Sequence, residues 1–351
     1  MALRRLKVLL PLFLCCSFSF SQDKPALRFV QITDAHVFDD GWKQSTDSGY
    51  KSVSDDWSSL HWAVEEINGM VSAGKPIDFV VYAGDLGLSN VELSRDCKLK
   101  PTPVDTRGMP PINKDWAVGK IAGELKALTV NNFYFVAGNN DFENEAVTDA
   151  HRASCFWGMV QSALSAMSSP LQIHELKAEA AVPVNGFRLA GLNTGSFKEE
   201  GNYKSDCPAA GDGCPEVEIS SFHKLVSDSA SEPILLFMHI PELIDPFREK
   251  SSWTVSDTVR AEWRSAACDH KVLGIFAGHF HDSDRHWYGS NISTHDLIVP
   301  GSECTARKTW VAPPLAIKNQ IGKNPTARGL LYVRVFKGGD IKVVADWFGG
   351  H

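Results

Sequence analysis

Apolar and polar positions alternate in blocks along this chain. Five runs, LRFVQI (27–32), IDFVVYA (77–83), FYFVA (133–137), ILLFM (234–238) and VLGIFA (272–277), are rich in β-branched and aromatic residues and have strand length. Between them, residues 57–69, 116–128, 154–167, 218–229 and 256–267 space their apolar side chains at helical intervals. Asp115 is the predicted cap before Trp116, and Gly74-Lys75-Pro76 separates the first helix from the next strand. After Gly278 the pattern turns strand-rich. Residues 329–336 and 341–347 read as a hairpin turned by Gly338-Gly339-Asp340. The alternation predicts an α/β fold, and no internal repeat or long linker interrupts it.

The five runs share a second property, because each is followed by a short polar cluster. In order these are Asp34-Ala35-His36, Gly84-Asp85, Gly138-Asn139-Asn140-Asp141, His239, and Gly278-His279-Phe280-His281. Open α/β sheets collect their ligands at the carboxyl ends of strands, so clusters far apart in sequence can meet in one crevice. Two Asp, one Asn and four His offer oxygen and imidazole but no thiolate. That set suits Zn, Mn or Fe better than Ca or a Cys-rich structural zinc site. One D-x-H or G-D by itself is usually a loop or helix cap; five in this order, each at a strand end, point to a metal site.

The same clusters resemble the calcineurin-like metallophosphoesterase pattern of D-x-H, G-D, G-N-H-[DE], H and G-H-x-H, matched here from Asp34 to His281. The resemblance implies a dinuclear centre. Asp34, His36 and His281 would hold one ion, Asn139, His239 and His279 the other, with Asp85 bridging. Two ions about 3.5–4 Å apart activate water and stabilise charge on a phosphoryl group and its leaving oxygen. The implied architecture is four-layered, with two facing mixed β-sheets flanked by helices.

One position departs from the family pattern. Asn140 stands where the family usually carries His, and Asp141 follows it. Asn cannot serve as a general acid, although its amide can hydrogen-bond a phosphoryl oxygen. Asp141 would hold the loop. General acid help is typically worth about 10²–10⁴-fold, so a site without it favours a good leaving group or another donor, for which His286, His295 and Tyr203 are candidates. Some phosphodiesterase branches of the family also lack this His, which favours a diester over a monoester.

Composition narrows the setting. The chain has 351 residues, 43% hydrophobic and 22% charged, enough for a substantial core in one domain. Its formal charge of −7 argues against stable nucleic-acid binding. Arg4, Arg5 and Lys7 precede an apolar run over residues 8–20, with small residues at Ser19 and Ser21. This reads as a signal peptide over residues 1–21, followed by a single domain over 22–351. The run falls short of the roughly 20 residues of a membrane span, so the expectation is a secreted or periplasmic protein without an integral span after cleavage.

Six cysteines follow the leader, Cys97, Cys155, Cys207, Cys214, Cys268 and Cys304. In an exported chain an even number suggests disulfides, with Cys207 and Cys214 the nearest local pair. Asn291-Ile292-Ser293 fits a glycosylation acceptor, a motif common by chance.

Three polar insertions, residues 39–56, 89–115 and 196–216, interrupt the regular pattern, the first two directly after ligand-bearing strands. Loops in that position surround the site and shape its pocket. Trp42, Tyr50 and Tyr203 on them could stack on a substrate or simply pack the loops. Residues 192–194, 202–203 and 323–325 resemble loops of the acid-sphingomyelinase-like branch, and Leu88 occupies the place where purple acid phosphatases carry a Tyr ligand.

The reading is an exported hydrolase of a small-molecule, lipid or nucleotide phosphoester, with a phosphodiester first. A broad phosphomonoesterase and a non-catalytic metal-binding recognition protein stand as alternatives.

Overall fold

The computed structural model describes residues 24–36, 56–88, 91–93, 97–98, 112–141, 151–195, 197, 214–229, 231–242, 244–245, 250–251, 253, 255–279, 294–296, 308–315 and 328–348. The leader, most of the three polar insertions, Cys207, Cys304, Asn291, Tyr203, His281 and His286 lie outside them. His295 falls in a described strand, but its side chain does not.

The five apolar runs form strands β1 (Leu27–Ile32), β2 (Phe79–Ala83), β3 (Asn132–Val136), β7 (Ile234–Met238) and β10 (Val272–Ala277). Three further strands, β4 (Gln172–Glu175), β5 (Val182–Val184) and β6 (Phe187–Leu192), were not evident from periodicity. β4 alternates exposed and half-buried positions, and β5 contains Pro183, which an edge strand tolerates. Asn185 and Gly186 join β5 to β6 with φ of 49° and 85°, the backbone of a tight hairpin turn. A small ribbon of β8 (Ile244–Asp245) and β9 (Lys250–Ser251) follows β7. Then come β11 (Thr294–Asp296), β12 (Lys308–Val311) and the terminal hairpin of β13 (Gly329–Val335) and β14 (Ile341–Trp347).

Two six-stranded sheets result, ordered β14-β13-β1-β2-β3-β4 and β11-β12-β10-β7-β6-β5. In the first, β1 to β4 run parallel and β13 and β14 antiparallel to their neighbours. In the second, β6, β7, β10 and β12 run parallel, with β5 and β11 antiparallel at the edges. Both are mixed.

Helices α1 (Asp56–Ser72), α2 (Lys114–Leu125) and α3 (His151–Ala166) belong to the first sheet, and α4 (Pro215–Asp228) and α5 (Asp257–Ala267) to the second. α2 corrects an expectation. Its cap is Asn113, whose side-chain oxygen accepts from the amides of Asp115 (2.9 Å) and Trp116 (3.2 Å), while Asp115 lies inside the first turn. α4 starts three residues before the expected Glu218, because Pro215 fits the first turn and Glu216 and Glu218 complement its dipole.

Three cores separate the four layers. Val30, Ile32, Val80 and Phe133 pack with Ile67, Ile121 and Phe156 of the helices on one side. Leu236, Met238 and Ile275 pack with Phe222 and Trp263 on the other. Between the sheets, Phe29 stacks on Phe79 at 4.9 Å and meets Phe237 and Phe276 edge-on at 5.4 and 5.0 Å. Burying each ring contributes roughly 1.5–3 kcal/mol. Central strands covered on both faces carry apolar residues at most positions, which is why they appear as near-continuous runs. The facing sheets bring the carboxyl ends of β1, β2, β3, β7 and β10 to one edge. Gln31 bridges the sheets there through the Ala277 carbonyl at 2.8 Å.

A disulfide joins Cys97, in the segment after β2, to Cys155 of α3, with Cα atoms 5.6 Å apart. Cys214 and Cys268 are also disulfide-bonded. The Cys207–Cys214 expectation cannot be compared, since Cys207 is outside the described residues. No helix among the described residues is long and apolar enough to cross a membrane.

Candidate metal centre

The first sheet supplies three groups of the site. Where β1 ends, Asp34 and His36 take left-handed backbone conformations, φ 55° and 44°, and Asp85 does the same after β2 at 56°. His279, after β10, has φ 75°. Such conformations are costly for residues other than Gly and persist where the surrounding structure enforces them. Here the enforcement is visible. The amide of Asp34 donates to the Gly84 carbonyl (3.0 Å) and that of His36 to the Asp85 carbonyl (3.1 Å). The amide of Ala35 donates to the Tyr82 hydroxyl (2.9 Å).

Two triads of ligand atoms emerge, Asp34-His36-Asp85 and Asp85-His239-His279, each with its atoms within 4.8 Å of one another. Asp85 belongs to both. Its Oδ2 is 3.2 Å from His239 Nε2 and 3.6 Å from His36 Nε2, and Asp34 Oδ1 is 3.7 Å from His36 Nε2. The His239 and His279 rings lie 5.2 Å apart.

Contacts within and across the sheets aim these groups. The amide of His279 donates to Asp34 Oδ2 at 2.9 Å, and the Thr33 hydroxyl lies 2.6 Å from the same oxygen. Thr194, at the end of β6, accepts from the amides of His239 (3.2 Å) and Ile240 (2.7 Å) through Oγ1. Neither Thr33 nor Tyr82 was singled out from sequence, and Thr194 entered only as part of the 192–194 loop resemblance, without this role.

Asn139, Asn140 and Asp141 form one 3-10 turn after β3. Asp141 is buried, and its carboxylate accepts from four backbone amides, those of Asp85 (3.1 Å), Gly138 (2.9 Å), Gly87 (3.0 Å) and Leu88 (3.3 Å). It joins the β2 and β3 loops. Asn140 donates its backbone amide to Asp85 Oδ1 (2.7 Å) and its side-chain amide to Asp85 Oδ2 (2.6 Å). Sequence reasoning directed that amide at a phosphoryl oxygen; in the structure it is engaged by Asp85.

The motif glycines have a steric reason. A Cβ on Gly138 would sit 2.2 Å from the Asp85 amide nitrogen and 2.3 Å from Asp85 Oδ1, and one on Gly278 would sit 2.1 Å from Thr33 Oγ1.

Burial would raise the Asp85 carboxyl, but the His239 and His36 imidazoles outweigh it and hold the group well below its usual range. Burial would lower His239, and the Asp85 and Asp34 carboxylates with the Ala83 carbonyl outweigh that, holding it up at about 9. Burial and the nearby Asp85 charge raise Asp141 to about 6 despite its backbone amides.

These residues fit divalent ions. Among the described residues, Asn139 Oδ1 and His239 Nε2 are buried with no well-formed hydrogen bond, even though Asp85 Oδ2 lies 3.2 Å from the latter. Two carboxylates and three imidazoles with buried acceptors left over make a donor set that a cation would complete. Asp34, His36, Asp85, Asn139, His239 and His279 are placed to contribute.

Fold and site together define a metal-binding α/β sandwich whose ligands sit on the joined carboxyl edges of two sheets. A calcineurin-like phosphoesterase family model matches residues 27–283, and the chain belongs to that family. Comparison with curated proteins returns no match. Among solved structures, a putative 5'-nucleotidase from Staphylococcus aureus in complex with alpha-ketoglutarate is similar at a TM-score of 0.40 and 9% identity over 92% of this chain. The chain spans about half of that protein, 53%. A single mutant of Vps29 from Entamoeba histolytica is similar at a TM-score of 0.32 and 9% identity, over 92% of this chain and 100% of that one. Family membership and the ligand groups support a metal-dependent phosphoesterase.

Proposed function

We propose that this protein is an exported hydrolase that cleaves a phosphodiester at a two-metal centre held by Asp34, His36, Asp85, Asn139, His239, His279 and His281. The observation that carries the reading is Asp85, one carboxylate common to two ligand triads. When bound, two Zn, Mn or Fe ions supply Lewis acidity and an activated water.

The chain's own residues define the rest. Asp141 ties the β2 and β3 loops together, so that Asp85 and Asn139 keep a fixed relation. Asn140 occupies the place of an acid and has no proton to give, which supports an ester whose leaving group departs without one. A small-molecule, lipid or nucleotide diester meets that need, whereas the acidic net charge disfavours polynucleotide.

The test is hydrolysis of bis-p-nitrophenyl phosphate against p-nitrophenyl phosphate by the Mn2+-loaded mature chain, with Asp85→Ala as control. Diester turnover abolished by the substitution is expected. Preference for the monoester would make it a phosphomonoesterase, and silence on both with metal bound would make it a recognition protein.

A further inference from the structure

Asp85 is buried, about 1% exposed, and shared by the two triads, so its orientation governs both. Among the described residues, the two well-formed hydrogen bonds to its carboxylate come from one residue, while His239 Nε2 lies 3.2 Å from Oδ2. The backbone amide of Asn140 takes Oδ1 at 2.7 Å and the side-chain amide takes Oδ2 at 2.6 Å. Both lie at the short, charge-assisted end of the range. Donors on the two oxygens fix the plane of the carboxylate as a single bond could not.

We propose that Asn140 is a positioning residue for the shared ligand Asp85, and that it acts on metal affinity rather than by touching substrate. The backbone bond would survive any substitution except proline, so the residue-specific part is the side-chain amide on Oδ2. That oxygen is the one facing His36 and His239. A carboxylate has about four lone-pair positions; the two bonds from Asn140 use one on each oxygen and leave one on each for metal. The clamp therefore orients the ligand without exhausting it. Partners of this kind typically contribute 10–100-fold to metal affinity. One of the two hydrogens on this side-chain nitrogen is committed to Asp85, so the amide's orientation is set by the ligand rather than by a substrate.

The inference deepens the function proposed above and rests on it through the assignment of Asp85 as a ligand. Mn2+ binding to the chelator-stripped full chain, followed by calorimetry, tests it without any turnover. Asn140→Ala should weaken Mn2+ binding at least about 10-fold. Asn140→Asp, of the same shape but carrying a like charge against Asp85, should weaken it further. Asn140→Ser, which keeps a donor, should fall between wild type and Ala. The visible absorption bands of bound Co2+ should shift in the Ala variant, since the geometry of a ligand has changed.

Asn140→Ala with wild-type Mn2+ affinity and Co2+ spectrum, but a raised KM for bis-p-nitrophenyl phosphate, would overturn the inference in favour of substrate contact. Should Ala fail to fold, the Asp and Ser variants carry the same comparison. Loss of affinity in a protein that hydrolyses neither ester would refute the proposed reaction and leave the role of Asn140 standing.

Discussion

His239 Nδ1 lies 2.7 Å from the carbonyl oxygen of Ala83, a contact between the second sheet and the first. A carbonyl only accepts, so Nδ1 carries the hydrogen, and Nε2 is turned toward Asp34 and Asp85 at 3.9 and 3.2 Å. This backbone contact decides which nitrogen can serve as a ligand.

Proton release should follow. His239 is held at about 9 against an ordinary 6.5, so at pH 7 it is protonated wherever no ion competes, and an ion must displace that proton. Calorimetry of Mn2+ binding in buffers of different ionisation enthalpy should show about one proton released from this residue at pH 7, fading as the pH passes 9. A raised folded-state value also stabilises the chelated protein. That contribution is complete below pH 6.5 and is lost as pH rises through 9, on the order of 3 kcal/mol at most. Chelated protein whose melting temperature is flat between pH 6.5 and 9 would contradict this.

Thr194 should matter without touching a metal or a substrate. Its Oγ1 is the acceptor for the His239 and Ile240 amides, and its side chain is fully buried. Thr194→Val keeps the shape and removes the acceptor, costing roughly 1–3 kcal/mol for each amide left unpaired. Thermal unfolding should show that loss and Mn2+ affinity should fall with it, while Thr194→Ser stays near wild type.

Glycine substitutions should divide by position. A Cβ on Gly278 meets Thr33 Oγ1 at 2.1 Å and Asp34 Oδ2 at 2.7 Å, so Gly278→Ala should cost about 1–3 kcal/mol and weaken metal binding. Gly119, in α2, has open space around its missing side chain, and Gly119→Ala should instead stabilise by about 0.5–1 kcal/mol. Parallel denaturant titrations distinguish the two.

Glu242, three residues beyond His239, is nearly buried between Arg260 and Arg264, with its Oε1 3.6 and 3.8 Å from their nitrogens. Burial outweighs both arginines and raises the carboxyl from 4.5 to about 7. The folded state therefore prefers the protonated acid. The cost of its charge is absent below pH 4.5, accumulates up to about pH 7 and is constant above. Glu242→Gln should be more stable than wild type at pH 8, by up to about 3 kcal/mol, with the advantage disappearing at pH 4.5. An advantage independent of pH would mean the arginines fully compensate the carboxylate.

Much of this was legible in the residues, and particular elements show why. Phe29 faces the inter-sheet core while Val30 faces the helices, so β1 is apolar at successive positions and stands out as a run. β7 and β10 stand out for the same reason. β4 did not, because an edge strand with one covered face carries Gln172, His174 and Glu175, and nothing distinguishes it from a loop. The cap of α2 was assigned to Asp115 because acidic residues serve both as caps and in first turns; only the position of the Asn113 oxygen separates the two roles.

The sequence by itself determined the order of the five ligand-bearing strands and of the helices between them, the place of each polar cluster at a strand end, and the absence of an acid at position 140. Those properties are local, set by the side chain's own chemistry and by spacing over a few residues. The tertiary structure alone decided which ligand groups come within 4.8 Å of one another, which nitrogen of His239 faces Asp34 and Asp85, and that the Asn140 amide meets Asp85. Such relations depend on how β2 pairs with β3 and how the two sheets face each other, which sets the distance between residues 55 and 156 positions apart. No short-range pattern records a distance of that kind, because it is fixed by the packing of Phe29, Phe79, Phe237 and Phe276 between the layers.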